Sequence, residues 1–442
     1  MSNFSRRIII PLLIFTTVTF LNTARSEEST LPQYASDLHL GVATCSGSTC
    51  HGAAKPFDTS SVMQNEFIIW QRQDAHANAY KVLYNEDSKR IARNLGLQAA
   101  HTAKICLDCH SDNVAPEHRG KRFQSSDGVG CEACHGGAER YLGTHVSGIA
   151  THQQNIDNGL YPSEDPIKRA KLCLSCHFGN ANKFVTHRIM GAGHPRMSFE
   201  LDTFTAIMPA HYRIDKDYTE RKQVWSNVRV WAVGQAMAVN TYLTELEQRM
   251  KDTIFPELVF FDCHACHHSM RNKRWAPRAS TGLEPGVVRL NDSSMLMLRH
   301  IASIIDPGLG KSVQANIRSL HQASTQSVGA MQQAARALRA QSQGLIQKIA
   351  AFSFSADSMR AMANNLLDDG IAGEYVDYAG AEQSLMAIEA ITATLQQTGQ
   401  ISAAKSGEIR NRMDALYKVL KDDDAYKPSA YISGLKSLKP LL

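Results

Sequence analysis

After Cys266, the last of ten, the sequence has no cysteine. It has no second long apolar run either. The one stretch near membrane-span length is Ile8–Leu21 at the extreme N-terminus, so no other segment is a candidate span. Charge of one sign is not in excess: 47 Lys and Arg face 42 Asp and Glu. That balance leaves no broad basic surface and argues against a nucleic-acid partner. At 43% hydrophobic and 20% charged residues the chain is not collagen-like, low-complexity or wholly disordered. A chain of 442 residues has room for two or three domains.

The N-terminus reads as an address. Arg6 and Arg7 precede the apolar stretch, and Ala24 and Ser26 supply small residues at a cleavage site. Residues 1–26 are therefore expected to be an export signal, removed after Ser26. An uncleaved anchor is the rival reading. Export places the protein in the periplasm, a compartment where cysteines commonly form disulfides.

These cysteines follow another pattern. Cys106-Leu107-Asp108-Cys109-His110, Cys131-Glu132-Ala133-Cys134-His135, Cys173-Leu174-Ser175-Cys176-His177 and Cys263-His264-Ala265-Cys266-His267 are all C-x-x-C-H. That is the attachment signature of haem c. Two thiols add across the vinyl groups of one porphyrin, and the adjacent histidine reaches the iron. Zinc sites also use cysteine pairs, but they do not need a histidine fixed directly after each pair. Cys45-Ser46-Gly47-Ser48-Thr49-Cys50-His51 is C-x4-C-H, with a longer loop that can bulge while both thiols still reach. Five haems are expected, with His51, His110, His135, His177 and His267 as proximal ligands and no cysteine left for a disulfide. The motifs share one stretch at roughly 45 residues each, too little chain to enclose each porphyrin in its own apolar core. The haems themselves must supply core.

Thirteen histidines remain as candidates for the sixth iron position. Two imidazoles saturate an iron for electron transfer, whereas an open position binds substrate. His76 follows Trp70 in a stretch that reads as one helix, with Trp70, Ala77 and Tyr80 on one face. His187 and His194 flank Gly191 and Gly193, and glycine permits close approach to a flat ring. They are candidates for the fourth and fifth haems, with His211, Met190 and Met197 as competitors. His264 and His268 are badly placed for the iron of their own motif.

Residues 40–195 resemble the cytochrome c-554 family of multihaem carriers. The resemblance rests on Trp70, His76, Ala77 and Ala79, on Gly128-Val129-Gly130-Cys131-Glu132-Ala133-Cys134-His135-Gly136, and on Gly143-Thr144-His145. It implies that His145 serves the haem on His51 and that His76 serves the haem on His135. It implies that the haem on His110 has no distal protein ligand, unless His101 closes it, and so marks any catalytic position. The sequence departs from the family in its C-x4-C-H motif, its fifth motif and its long C-terminal region. No C-x-x-C-K motif is present, so a lysine-ligated catalytic haem has no candidate.

The fold class expected is mainly α with little regular β structure: a pentahaem cytochrome segment over residues 27–280, then a helical bundle over 281–442. Tyr218 to about Met250 reads as one long helix. In the bundle, Met331, Ala335, Leu338, Ser342, Leu345, Ile349 and Phe352 keep helical spacing, as do Leu385, Ile388, Ile391 and Leu395, and Met413, Leu416 and Leu420. Pro307, Gly344 and Gly370 punctuate it. These stripes read first as core and second as a homo-oligomer interface. His300 and His321 are remote candidates for a haem across the boundary. The first functional expectation is a periplasmic carrier of electrons between redox partner proteins, soluble or membrane-attached. The alternative is an oxidoreductase acting on a small nitrogen or sulfur species at one five-coordinate haem.

Overall fold

The computed structural model describes residues 30–58, 62–250, 257–268, 278, 280–284 and 286–442. The expected export signal at residues 1–26 lies outside the described residues. Regular structure among the described residues is helical, as expected. Backbone pairing of β type is limited to isolated bridges, such as His39 with Arg119 and Phe261 with Leu290. No helix among the described residues is long and apolar enough to cross a membrane.

The two halves are built differently. The described part of residues 30–165 forms short helices and turns, none longer than ten residues. Their buried apolar residues are mostly small or scattered, and the cluster they form is little more than Leu83, Ala92 and Ala100. Such a segment has too little apolar burial of its own to offset the entropy of ordering it.

The remainder is a packed helical assembly. Its main helices are α1 (Asn227–Arg249), α2 (Ser293–Ile305), α3 (Pro307–Ala323), α4 (Val328–Ala351), α5 (Ala356–Ile371), α6 (Tyr378–Gln397), α7 (Ala403–Val419) and α8 (Pro428–Leu438). Helix α1 is central. It packs along α4 and also touches α2, α6 and the helix Pro166–His177 that carries the fourth motif. Val228, Trp231, Ala232, Val233, Ala236, Val239, Leu243 and Leu246 of α1 are all buried, around most of its circumference. A helix apolar all round belongs inside a core. One apolar cluster thus runs from Ala170 to Leu438. The haem-type motifs stop before residue 280, but the core continues across that position.

The expected helix from Tyr218 to Met250 is two helices. Lys216–Arg221 ends at Lys222, and α1 starts after Ser226. The break is held by tertiary contacts that no local pattern reveals. The amide of Val228 in the first turn donates to Thr394 Oγ1 of α6 at 3.0 Å, satisfying a helix-end donor. Val224, within that expected helix, is in the loop and exposed. In the bundle the expected stripes are the buried faces: Met331, Ala335, Leu338, Ser342, Leu345 and Ile349 in α4, and Leu385, Ile388, Ile391 and Leu395 in α6. Gly344 does not punctuate; it lies inside α4. Gly370 sits near the end of α5, where a Cβ would come within 2.3 Å of Leu435 of α8.

Arg278 fastens the start of this assembly. Its guanidinium is buried and meets Asp292, Asp377 at 3.3 Å and Glu374 at 3.5 Å. His321 Nε2 is 3.0 Å from the same Asp292. Burial alone would raise the Asp292 carboxyl, yet Arg278 and His321 hold it below its ordinary value. Removing the cation leaves buried carboxylates without their counter-charge. Arg278→Met is expected to cost about 3–5 kcal/mol, read as a lower denaturant midpoint of the full chain. An unchanged midpoint would show that the cluster is not a structural fastening.

Candidate haem-binding site

The residues of the resemblance form one hydrogen-bonded unit. Trp70 Nε1 donates to the carbonyl of Val129 at 3.1 Å. The amide of Val129 donates to the carbonyl of His76 at 3.1 Å. Gly128, at φ +79°, lets this segment lie so close that a Cβ would sit 2.7 Å from that same carbonyl, so only glycine fits without strain. Glu132 is buried, and its carboxylate accepts from the amides of Leu40, Gly41 and Ala138 at 2.7–2.8 Å. The glutamate inside the third motif therefore ties the Leu40–Gly41 segment to the chain just after its own motif.

His76 is not on a continuation of the Trp70 helix. That helix, Glu66–Gln73, stops at Asp74, and a 3-10 turn over Ala75–Asn78 follows. Asp74 causes the break and aims the ring. Its carboxylate accepts from the His76 amide and from His76 Nδ1, both at 2.9 Å. The expected single helical face through Trp70, Ala77 and Tyr80 is corrected accordingly.

Each motif histidine faces a second imidazole. Ring centroids are 6.0 Å apart for His51 and His145, 6.4 Å for His110 and His194, 6.2 Å for His135 and His211, 6.1 Å for His177 and His76, and 6.0 Å for His267 and His187. With a metal–nitrogen bond of about 2.0 Å and a centroid about 1.1 Å behind each nitrogen, two axial imidazoles across one metal would stand about 6 Å apart. The gap in all five pairs fits that requirement. The interplanar angles run from 13° to 89°, as expected when each ring is free to turn about its own axial bond.

Several rings are anchored from behind. His51 Nδ1 bonds Glu66 at 2.9 Å, His110 Nδ1 donates to the Ala79 carbonyl at 2.9 Å, and His194 Nδ1 donates to the Pro195 carbonyl at 2.9 Å. With Asp74 behind His76, four rings thus have Nδ1 occupied and Nε2 left for a metal. Such partners fix tautomer and orientation. Burial pushes His135 down to about 4 and lowers His110, His145 and His177, favouring the neutral ring that ligation needs. The hydrogen bonds from Glu66 and Asp74 raise His51 and His76 instead.

Three expected pairings change. His76 faces His177 and not His135, although its backbone is bonded to Val129 beside the third motif. Main-chain adjacency and ring direction point to different motifs. His135 faces His211, expected only as a competitor; it lies between helices, where no periodicity flags it. His110 faces His194, so the position expected to lack a distal protein ligand has one opposite it. His101 is not its partner; it stacks on Tyr84 at 4.2 Å. His187 faces the fifth motif. His145 faces His51, the pair the resemblance implied.

The other histidines are engaged elsewhere. Buried His39 bonds Asp112 at 2.7 Å and Pro32 O at 3.3 Å. His118 donates to Ala35 O at 2.9 Å, and His152 pairs with Glu164 at 2.6 Å. His300 meets Tyr375 Oη at 3.0 Å inside the bundle, as His321 meets Asp292. His264 is buried with its ring 6.1 Å from Tyr378. The structure joins none of the ten cysteines in a disulfide. Sequence reasoning also missed Lys183. It is buried and donates to the Asp108 carbonyl, Gln33 Oε1 and Cys176 Sγ at 3.0, 2.6 and 3.0 Å, bridging the second and fourth motifs.

The pairing makes a sharp distinction between two histidines. With haem bound, reduced His211→Ala protein is expected to bind one carbon monoxide per chain, because the ring facing His135 is gone. Wild type and His101→Ala are expected to bind none. Binding by His101→Ala, or none by His211→Ala, would contradict the pairing; a CO titration followed in the Soret band reads both.

No curated protein and no solved structure matches the chain. Residues 44–136 match the family model of cytochrome c554 and c-prime. The match takes in the first three motifs, Trp70, His76 and the Gly128–Gly136 segment. It is narrower than the expected 40–195, ending before His145, the two later motifs and the helical assembly. On that match, the chain is similar over its first three motifs to cytochrome c554 and c-prime.

Proposed function

We propose that the protein is a periplasmic pentahaem electron carrier in which every iron has two histidine ligands. One observation carries this reading: each of the five motif histidines is faced by a second histidine across a metal-sized gap. The cysteines of the five motifs would hold haem c by thioether bonds. Bound haem supplies one-electron redox chemistry, with potentials set by axial ligands, hydrogen bonding and burial.

The chain's own residues do the rest. His145, His194, His211, His76 and His187 occupy the sides where a small substrate would otherwise enter. Glu66 and Asp74 hold two of the ten rings in orientation and place negative charge behind them. That charge favours the oxidised centre at the His51 and His177 positions. The scarcity of apolar core in residues 30–165 supports the reading independently, because porphyrins packed there would supply the missing apolar volume. The surface that meets redox partners and the expected export belong to the same proposal.

Intact mass after production in a host with c-type maturation is expected to show five covalent haems. The reduced protein should return five electrons to an outer-sphere oxidant. It should not turn over hydroxylamine, nitrite or sulfite. Fewer than five haems would overturn the count, and steady turnover of any of these small molecules would overturn the carrier reading.

A further inference from the structure

An open cavity of about 120 Å³ lies where the fourth and fifth motifs meet the C-terminal helices. His177 and Cys263 border it, and so do Tyr378 and Glu382 of α6 and Met295 of α2. The C-terminal assembly is therefore a wall of this space.

The charge on that wall is organised. Arg196, two residues after His194, reaches Glu382 with Nη2 at 3.3 Å and Asp423 with Nε at 3.5 Å. Its guanidinium lies over the Tyr378 ring at 4.9 Å. Ser198 Oγ donates to Glu382 at 2.7 Å. Tyr378 in turn donates to the Leu420 carbonyl at 2.5 Å, so the aromatic platform is fixed within the bundle. Arg196 is three-quarters enclosed, with 24% of its side chain exposed. A charge so enclosed acts through a lower effective dielectric than a surface charge does.

We infer that the C-terminal helices complete the pocket of the haem attached at Cys263 and Cys266, and that the Arg196–Glu382 pair on their face sets that haem's reduction potential. The inference rests on the pentahaem reading above. Arg196 and Glu382 act as positioning and tuning residues and contact no iron. A positive charge beside the centre favours the reduced state, and a negative charge favours the oxidised state. Each member of the pair offsets the other, so removing either exposes the opposite field.

The test is a spectroelectrochemical titration of the full five-haem chain. The fifth wave is assigned with His187→Met, since methionine in place of an axial histidine raises the potential. Arg196→Met is expected to lower that same wave, and Glu382→Gln is expected to raise it. Each should change the reduction equilibrium by about tenfold, the order expected for a unit charge near a buried centre. Ser198→Ala, which alters no charge, should leave all five waves in place. A loosened pocket would move the wave the same way in both charge variants, and that result overturns the inference. So does a shift confined to another wave, or no shift. If Arg196→Met does not fold, the sign in Glu382→Gln alone decides. Intact mass separates the two levels. Five haems with unmoved potentials defeat this inference only, whereas a missing fifth haem defeats the pentahaem reading as well.

Discussion

Five opposed imidazole pairs at a near-constant separation are the constraint on which the first half of this molecule depends. Short helices and turns of the kind found in residues 30–165 do not hold shape by their own burial. What holds them here is a set of polar anchors: Glu132 gathering three backbone amides, Asp74 capping the turn at His76, and Gly128 allowing two chain segments to touch. Each anchor fixes the approach of a ring to its partner. The architecture is thus organised around spaces between histidines, with the apolar volume of residues 30–165 left for a cofactor to provide.

The second half solves the opposite problem. Helix α1 is buried around most of its surface and welds the fourth motif's helix to the C-terminal helices. The buried ion cluster of Arg278, Asp292, Asp377 and His321 ties the segment after the fifth motif into the same assembly. Arg289 continues this cluster, bonding Asp262 at 2.9 Å, the residue that caps the helix of the fifth motif. A rigid bundle carrying no motif of its own is therefore connected to the last two motifs by both apolar and ionic contacts. On the proposed reading, this gives the C-terminal region a role in placing the last two haems.

The sequence made some of this plain. Covalent chemistry demands a fixed spacing, so the Cys pairs and the following histidines could be read without a fold. Helical spacing in α4 and α6 identified the buried faces for the same reason: period and burial are local. Ring pairing is not local. His76 is bonded by its backbone to the third motif but turned toward the fourth, and only the three-dimensional path of the turn after Asp74 shows it. His211 sits outside any helix, so no periodic signal marked it. The break between Lys222 and Asn227 depends on Thr394, more than 160 residues away, which no window of sequence contains.

With haem bound, each iron would be closed by two histidines. The most direct test is the low-temperature EPR spectrum of the fully oxidised, five-haem protein. Low-spin ferric signals alone are expected, summing to five centres per chain. A high-spin ferric signal integrating to one centre would contradict it, because at least one of the five facing imidazoles would then not be a ligand.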